Sequence, residues 1–324
     1  MTDRELLRRY VRRGVVAVME QPGGPDSIQA VVSGTTGQHV LELVVPLECQ
    51  VSIPTENSRS TAVVRRPIGE GLYLPGSQWL SLAIASPGSN HDEILAELAR
   101  LTTDIADQFD RWFWLRYNNS THGPHLRIRF HGDPAVLGSR VLPAVSVWCS
   151  ELIAHHLASR LTVEPYDQEI ERYGGPAAMC AAERVFDADS RLVLATLAAT
   201  SGTDQRLLAA ALSAATIARS LADGSRVALD GRHVDRAAHR RLTELRPLVR
   251  AAAENDSAII PPTHPAWVAR QAALAAYRDN LPTARHPDCA SSLIHMHANR
   301  LLGDLETERM ARALAADILA REAR

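Results

Sequence analysis

The sequence predicts an α+β protein whose front part contains a sheet and whose back part is largely helical. Segments with strand-type and helix-type periodicity alternate between Trp79 and Glu164. After Gly175, almost every segment has helical spacing. Gly, Pro, Asn, Asp and Ser mark the boundaries between segments. A chain of 324 residues is long enough for one large domain or two small ones.

The N-terminal part of the chain differs in composition from the rest. Residues 14–65 are rich in β-formers and turn residues, which predicts short strands at Val15–Met19, Ile28–Val32 and Val40–Val45. Pro75 and Gly76 mark the change to longer periodic segments. We therefore predict a β-prone extension over residues 1–70 and a main domain over residues 71–324.

The first half of the main domain predicts one split β-α-β unit. In order, the segments are a strand at Trp79–Ala85, a helix at Asp92–Gln108, strands at Trp112–Tyr117 and His125–His131 joined by a polar turn at Asn118–Pro124, a helix at Pro134–Ala158 and a strand at Arg160–Glu164. This β-α-β-β-α-β order is that of the ferredoxin-like fold.

The second half predicts a series of helices rich in alanine and leucine. Breaks at Gly, Pro or Asp place them at Ala178–Val185, Ser190–Thr200, Asp204–Ala222, Val234–Glu254, His264–Asn280, Ser291–Leu302 and Glu306–Glu322.

Composition excludes several classes of function. All 35 basic residues are arginine, so a pyridoxal-phosphate Schiff base and a Walker A lysine are ruled out. Four scattered cysteines without a CxxC pair argue against a zinc site and a disulfide framework, and the sequence signals no other cofactor. The formal net charge is -2 without a basic tract, which argues against direct nucleic-acid binding.

The hydropathy pattern predicts a cytoplasmic location. No uninterrupted apolar run reaches the roughly 18 residues that a membrane span requires. The N-terminal Met1–Arg13 is charged and lacks the apolar core of a secretion signal. We therefore expect no membrane association.

The strand HLRIRFH carries the first candidate site. Alternation directs Leu126, Ile128 and Phe130 to a core face, and His125, Arg127, Arg129 and His131 to the opposite face. Two arginines about 7 Å apart on one face repel unless something negative lies over them. This pattern indicates either a cradle for an anionic ligand or a solvated face with acidic neighbours.

Two further segments concentrate polar groups. YDQEIERYGG, from Tyr166 to Gly175, mixes acids, one arginine and two tyrosines, and it could also be a plain structural ion-pair network. In SSLIHMHANRLLG, from Ser291 to Gly303, His295 and His297 lie about 200° apart on a helix and cannot enter one site together. His297 falls among apolar residues, so a core role suits it, and both histidines could be packed core groups.

Together these segments resemble a known family. The chain is similar to the C-terminal, glutamate-eliminating domain of lantibiotic dehydratases, which also occurs as a free-standing protein in thiopeptide-type bacteriocin pathways. The resemblance lies in LELVVPLE (Leu41–Glu48), LPGSQWLSL (Leu74–Leu82), DRWFWLRYNNSTHGPHLRIRFHG (Asp110–Gly132), YDQEIERYGG with FDADS (Phe186–Ser190), and SSLIHMHANRLLG. These segments occur in family order. The family's large glutamylation domain is missing from this sequence, so the chain resembles the split version.

The resemblance implies an activity and a set of site residues. A tRNA-dependent partner enzyme would glutamylate Ser or Thr of a leader–core precursor peptide, and this lyase would expel the glutamate to leave dehydroalanine or dehydrobutyrine. By motif, the catalytic residues fall on Arg127, Arg129, Arg172 and His295. His125, Tyr166, His297, Asn299 and Arg300 would contact substrate. The family implies no metal and no cofactor, and the sequence leaves open a homodimer and the role of the histidine as base, acid or orienter.

Two other functions compete with elimination. One is a pyridine synthase of thiopeptide pathways on the same scaffold, which joins two dehydroalanines in a formal aza-cycloaddition and expels the leader peptide. Retention of Arg127, Arg129 and Arg172 favours elimination, since the synthases need not keep that set. The other is a non-catalytic subunit that binds the precursor peptide, which the unpaired like charges on one strand face argue against.

Overall fold

The computed structural model describes residues 31–34, 37–40, 71–119, 123–224, 229, 236–254 and 259–322. The chain divides into two compact units, Met1–Arg65 and Arg66–Arg324. In the first unit, strands β1 (Val31–Gly34) and β2 (Gly37–Val40) form an antiparallel pair in which Val31 lies opposite Val40. The strand predicted at Val15–Met19 lies outside the described residues, as do most of those predicted at Ile28–Val32 and Val40–Val45.

The second unit contains the other strands and all the described helices. The strands are β3 (Leu72–Tyr73), β4 (Trp79–Ala85), β5 (Arg111–Asn119), β6 (Gly123–His131), β7 (Arg160–Glu164) and β8 (Tyr166–Asp167). The longer helices are α1 (His91–Asp104), α2 (Leu142–Ala154), α3 (Pro176–Ala199), α4 (Thr203–Ala222), α5 (Arg236–Glu254), α6 (Pro265–Asp279), α7 (His286–Leu301) and α8 (Leu305–Glu322). An α turn at Pro134–Val136 and a π turn at Leu137–Val141 lead directly into α2.

The four central strands confirm the predicted ferredoxin-like unit. Their order across the sheet is β5-β6-β4-β7, every neighbouring pair is antiparallel, and α1 and α2 supply the two crossover connections. The predicted alternation in β6 is also correct, because Leu126, Ile128 and Phe130 are fully buried in the core. The opposite face of β5 and β6 meets the helical half, where α3 and α7 pack against β5.

A small second sheet was not predicted. Tyr73 pairs with Tyr166 and Leu72 with Asp167, so β3 and β8 form a two-stranded antiparallel sheet. Each strand has only two residues, which is too short for a periodic pattern to appear in the sequence. The pairing matters for function because it fixes the start of the Tyr166–Gly175 segment.

The helix α3 corrects the sequence prediction of two helices, Ala178–Val185 and Ser190–Thr200. One helix runs unbroken from Pro176 to Ala199 through the polar segment FDADS. Asp189 and Ser190 are both buried, and each finds a partner on another element. Polar residues therefore do not end this helix, because tertiary contacts satisfy them.

The segment Pro134–Ala154 is apolar enough to resemble a membrane span. It has 21 residues and a mean hydropathy of 1.3. Its buried stripe, however, includes Val141, Val145 and Cys149 and belongs to the same core as the sheet. Core helices of layered domains can have the same length and apolar composition, so this resemblance is weak evidence for a membrane role.

Candidate active site

A cavity of about 290 Å³ lies between β5 and β6, the Tyr166–Tyr173 segment and helix α7. It brings together residues that are far apart in the chain. Seven of the residues predicted for the site line it: Arg127, Arg129, Tyr166, Arg172, His295, Asn299 and Arg300. The two other predicted residues, His125 and His297, do not line it.

The two strand arginines enter the cavity in different electrostatic environments. The Nε of Arg127 lies 3.5 Å from Glu164 Oε2, and its guanidinium stacks 3.9 Å from the centre of the Tyr117 ring. Arg129 Nε donates to Ser81 Oγ at 3.3 Å, and the guanidinium lies 4.3 Å from the Tyr166 ring centre. Within the described part of the chain, Arg129 has no carboxylate at ion-pair distance.

Among the described residues, no carboxylate pairs with the half-buried Arg129, although the charges of Glu169 and Glu164 favour its cationic form. Burial lowers its pKa, and the nearby Arg127 adds to that effect, yet an arginine keeps its proton in proteins. An uncompensated buried charge is costly unless a ligand neutralises it. Arg129 is thus the strongest local signal for an anionic ligand.

The aromatic ring of Tyr166 lies against the Arg129 guanidinium. Its ring is buried, and its hydroxyl donates to Glu183 Oε1 at 3.1 Å, the same oxygen that accepts from Gln168 Nε2 at 2.6 Å. Burial, together with the charge of Glu183, raises the pKa of Tyr166 well above its usual value. The hydroxyl is thus already used within the protein, and Tyr166 presents its ring to Arg129.

The turn Ile170–Tyr173 carries Arg172 and Tyr173 into the cavity wall. Arg172 Nη1 donates to Glu169 Oε2 at 2.8 Å, and its side chain is one-third exposed. Gly174 ends the turn with φ of 93°, and a Cβ there would collide with the Leu281 side chain. Only glycine fits this left-handed position, so the Gly-Gly pair is required to set the direction of the turn.

Tyr173 is a cavity residue that the sequence reasoning did not single out. Its ring is buried, and its hydroxyl makes no hydrogen bond to any described residue. Burial raises its pKa to about 12, although the Arg172 charge opposes the shift. Tyr173 therefore presents a protonated donor to a ligand at neutral pH.

His295 has a carboxylate partner on the next helix. Its Nδ1 donates to Glu308 Oε2 at 2.7 Å, and 31% of its side chain is exposed. Glu308 is buried on the first turn of α8, and its other carboxylate oxygen accepts from Arg312 Nε at 2.8 Å. The sequence reasoning missed Glu308, because nothing in its local pattern distinguishes it from Glu306.

Asn299 and Arg300 lie in the cavity wall but are bound to the protein itself. The Asn299 amide accepts from Arg116 N at 3.0 Å and donates to Arg116 O at 2.9 Å, which attaches α7 to the edge of β5. Arg300 donates to Trp114 O and to Asp189 Oδ2. Both residues therefore shape the cavity by holding α7 against the sheet.

His297 lies on the other side of α7 from the cavity. Its Nδ1 donates to Asp189 Oδ1 at 2.8 Å, in a buried cluster with Arg270 and Arg300. Burial would raise the pKa of Asp189, but the charges and hydrogen bonds of these three partners outweigh it and hold the pKa well below the usual range. The structure thus separates the two histidines as the helical geometry predicts.

His125 is buried at the end of β6 away from the cavity lining. Its Nδ1 donates to the Gly123 carbonyl at 2.8 Å, and its ring lies 5.4 Å from that of Tyr117. The ring therefore contacts Tyr117, the residue on which Arg127 stacks.

Five arginines and two carboxylates line this cavity, and carboxylates outside the lining pair three of the arginines, namely Arg116, Arg127 and Arg300. The fold and the site define a class of protein. Its members are α+β domains with a ferredoxin-like sheet and an arginine-rich cavity where the sheet meets the helices. Residues 79–323 match the family described as lantibiotic biosynthesis dehydratase, C-terminal. The chain belongs to that family.

Individual relatives agree with this assignment. The subtilin biosynthesis protein SpaB of Bacillus subtilis is 33% identical over 159 residues, which are 47% of this chain and 15% of SpaB. The tRNA-dependent lantibiotic dehydratase MibB from Microbispora sp. 107891 has a similar structure, with a TM-score of 0.64 and 25% identity over 80% of this chain and 29% of MibB. TsrL shares the fold over 76% of this chain and 95% of its own, with 17% identity and a TM-score of 0.52. The chain thus spans a minor part of SpaB and MibB.

Proposed function

We propose that this chain eliminates glutamate from glutamylated Ser or Thr side chains of a ribosomal precursor peptide. The observation that carries the proposal is the convergence of Arg129, Arg172 and His295 on one cavity. Arginine forks bind carboxylates, and a neutral imidazole can accept a proton. The family membership supports the same activity.

The reaction is a β-elimination, and each step has a candidate group. The His295 imidazole takes the Cα proton of the esterified residue, the Cα–Cβ double bond forms, and the Cβ–O bond breaks. Glutamate leaves as a carboxylate, which is easy because the conjugate acid has a pKa of about 3.5. Arg129 and Arg172 hold the glutamyl group and stabilise the charge that appears on the leaving oxygen.

The proposal includes a division of labour with a partner. A tRNA-dependent enzyme attaches the glutamate, and the present chain receives the glutamylated peptide without contacting tRNA itself. Its net charge of -2 supports this division, since tRNA binding by an isolated domain requires a basic surface. We also propose a cytoplasmic location, where glutamyl-tRNA is made.

The test is incubation of the purified chain with a chemically glutamylated peptide that carries its leader. We expect release of free glutamate and formation of a dehydroamino acid, both measured by mass spectrometry, with Arg129→Ala as the inactive control. Ring formation with release of the leader from a dehydrated peptide would instead identify a pyridine synthase. Tight peptide binding with no chemical change would identify a non-catalytic subunit.

A further inference from the structure

The carboxylate of Glu308 contacts the imidazole of His295 from outside the cavity. The Nδ1···Oε2 distance of 2.7 Å is that of a charge-assisted hydrogen bond. Glu308 remains ionised although it is buried, because the hydrogen bonds and charges of His295 and Arg312 together lower its pKa against the effect of burial. Arg312 is fixed in turn, since its Nη2 donates to the Ser291 carbonyl at 2.9 Å.

This chain of contacts decides which nitrogen of His295 carries the proton. An ionised carboxylate only accepts hydrogen bonds, so the proton of the neutral ring must lie on Nδ1. Nε2 then carries the lone pair of the ring, and His295 is one of the residues that line the cavity. A base for the Cα proton needs that lone pair, so the wrong tautomer would be inactive even with the ring in place.

We propose that Glu308 is the positioning residue that holds His295 in the tautomer with a bare Nε2. The inference rests on the proposed function for its consequence in catalysis, whereas the tautomer itself follows from the contacts alone. Arg312 is the second member of the arrangement, because it occupies Glu308 Oε1 and leaves Oε2 to the imidazole.

The position of Arg312 makes Glu308→Gln a sharp test. Arg312 only donates hydrogen bonds, so it would take the amide oxygen of the glutamine and turn the NH2 group toward His295. That NH2 group donates as well, so Nδ1 would have to become the acceptor and the proton would move to Nε2. A nearly isosteric substitution thus inverts the tautomer while the packing stays in place.

The direct measurement is the tautomer of His295 by nitrogen NMR on protein labelled at histidine. The His295 signals are assigned by their loss in His295→Gln, since the chain has 13 histidines. We expect Nδ1–H in the wild type and Nε2–H in Glu308→Gln. Glu306→Gln, on the exposed face of the same turn, is the matched control and should leave the tautomer unchanged. A wild-type protein with the proton on Nε2 would overturn the proposal whether or not any variant folds.

Glutamate release from the glutamylated peptide provides the second measurement. Glu308→Gln should lose on the order of 10²- to 10⁴-fold in kcat with little change in KM, as expected for a base in the wrong tautomer. Wild-type rates in Glu308→Gln would refute the positioning role. Nδ1–H in a wild-type protein that releases no glutamate would instead refute the proposed function and leave the tautomer assignment standing.

Discussion

The two histidines of helix α7 allow catalysis and stability to be separated by single substitutions. His297 is 2% exposed and donates to a buried carboxylate. His297→Ala removes that hydrogen bond, worth about 1.5–3 kcal/mol for a charged partner, and leaves a small cavity. Asp189 keeps Arg270 and Arg300, so no buried charge is left alone. We expect a loss of about 2–4 kcal/mol in the free energy of unfolding.

His295→Ala should have the opposite effect. The side chain is 31% exposed, and Glu308 keeps its ion pair with Arg312 after the imidazole is removed. We therefore expect the free energy of unfolding to change by less than about 1 kcal/mol. Glutamate release should fall by about 10²- to 10⁴-fold, because the proton acceptor is gone.

The assay pairs thermal melting with glutamate release for each variant. At roughly 2–4 °C per kcal/mol, His297→Ala should lower the Tm by about 4–16 °C and keep its activity below the transition. A stable, inactive His297→Ala together with an active His295→Ala would show that the roles are reversed. If both variants are active, the proton is taken by another group, such as a carboxylate near Arg172.

Three further perturbations test other parts of the site. Arg129→Ala should leave the Tm unchanged or raise it, because it removes a cation that no described carboxylate pairs, and glutamylated peptide should accumulate in mass spectra. Arg129→Lys should also be impaired in glutamate release, since an ammonium lacks the planar fork of a guanidinium. Tyr173→Phe should raise KM or lower kcat for glutamate release by about 10-fold if the Tyr173 hydroxyl donates to the substrate; unchanged kinetics would remove it from the site. The pKa of Asp189 is lower in the folded protein than in the unfolded chain, where it is about 3.9. The ionised Asp189 therefore stabilises the fold fully above the unfolded pKa, and this stabilisation is lost as the pH falls through the folded pKa. Asp189→Asn should cost about 3–5 kcal/mol at pH 7, because two buried arginines lose their shared carboxylate, and denaturant titrations at pH 7 and pH 3 should show a smaller difference between the variant and the wild type at the lower pH.

The periodic elements could be predicted from the sequence because their cause is local. In β6, the alternation of Leu126, Ile128 and Phe130 with charged residues specifies both the strand and the faces of its side chains. The β-α-β-β-α-β order then leaves few sheet topologies, and the ferredoxin-like order is the one found. The opposite directions of His295 and His297 likewise follow from helical geometry.

Other features depended on contacts between distant segments. Asp189 does not end helix α3, because His297 and Arg300, more than a hundred residues away, satisfy its carboxylate. The guanidinium of Arg300 lies in the cavity wall, yet it already donates to Trp114 O and Asp189 Oδ2. Local sequence contains no information on such partners, so residues of similar type could not be sorted into binding and structural groups.

The sequence by itself determined which residue types are present to bind an anion and accept a proton, and on which strand and helix they lie. Only the tertiary structure decided that, among the described residues, Arg127 and Arg172 have a carboxylate at ion-pair distance and Arg129 does not. It alone also paired His295 with Glu308. The physical reason is that charge balance and tautomer depend on the nearest atoms in space. In the folded chain those atoms come from distant segments, whereas sequence periodicity describes each segment separately.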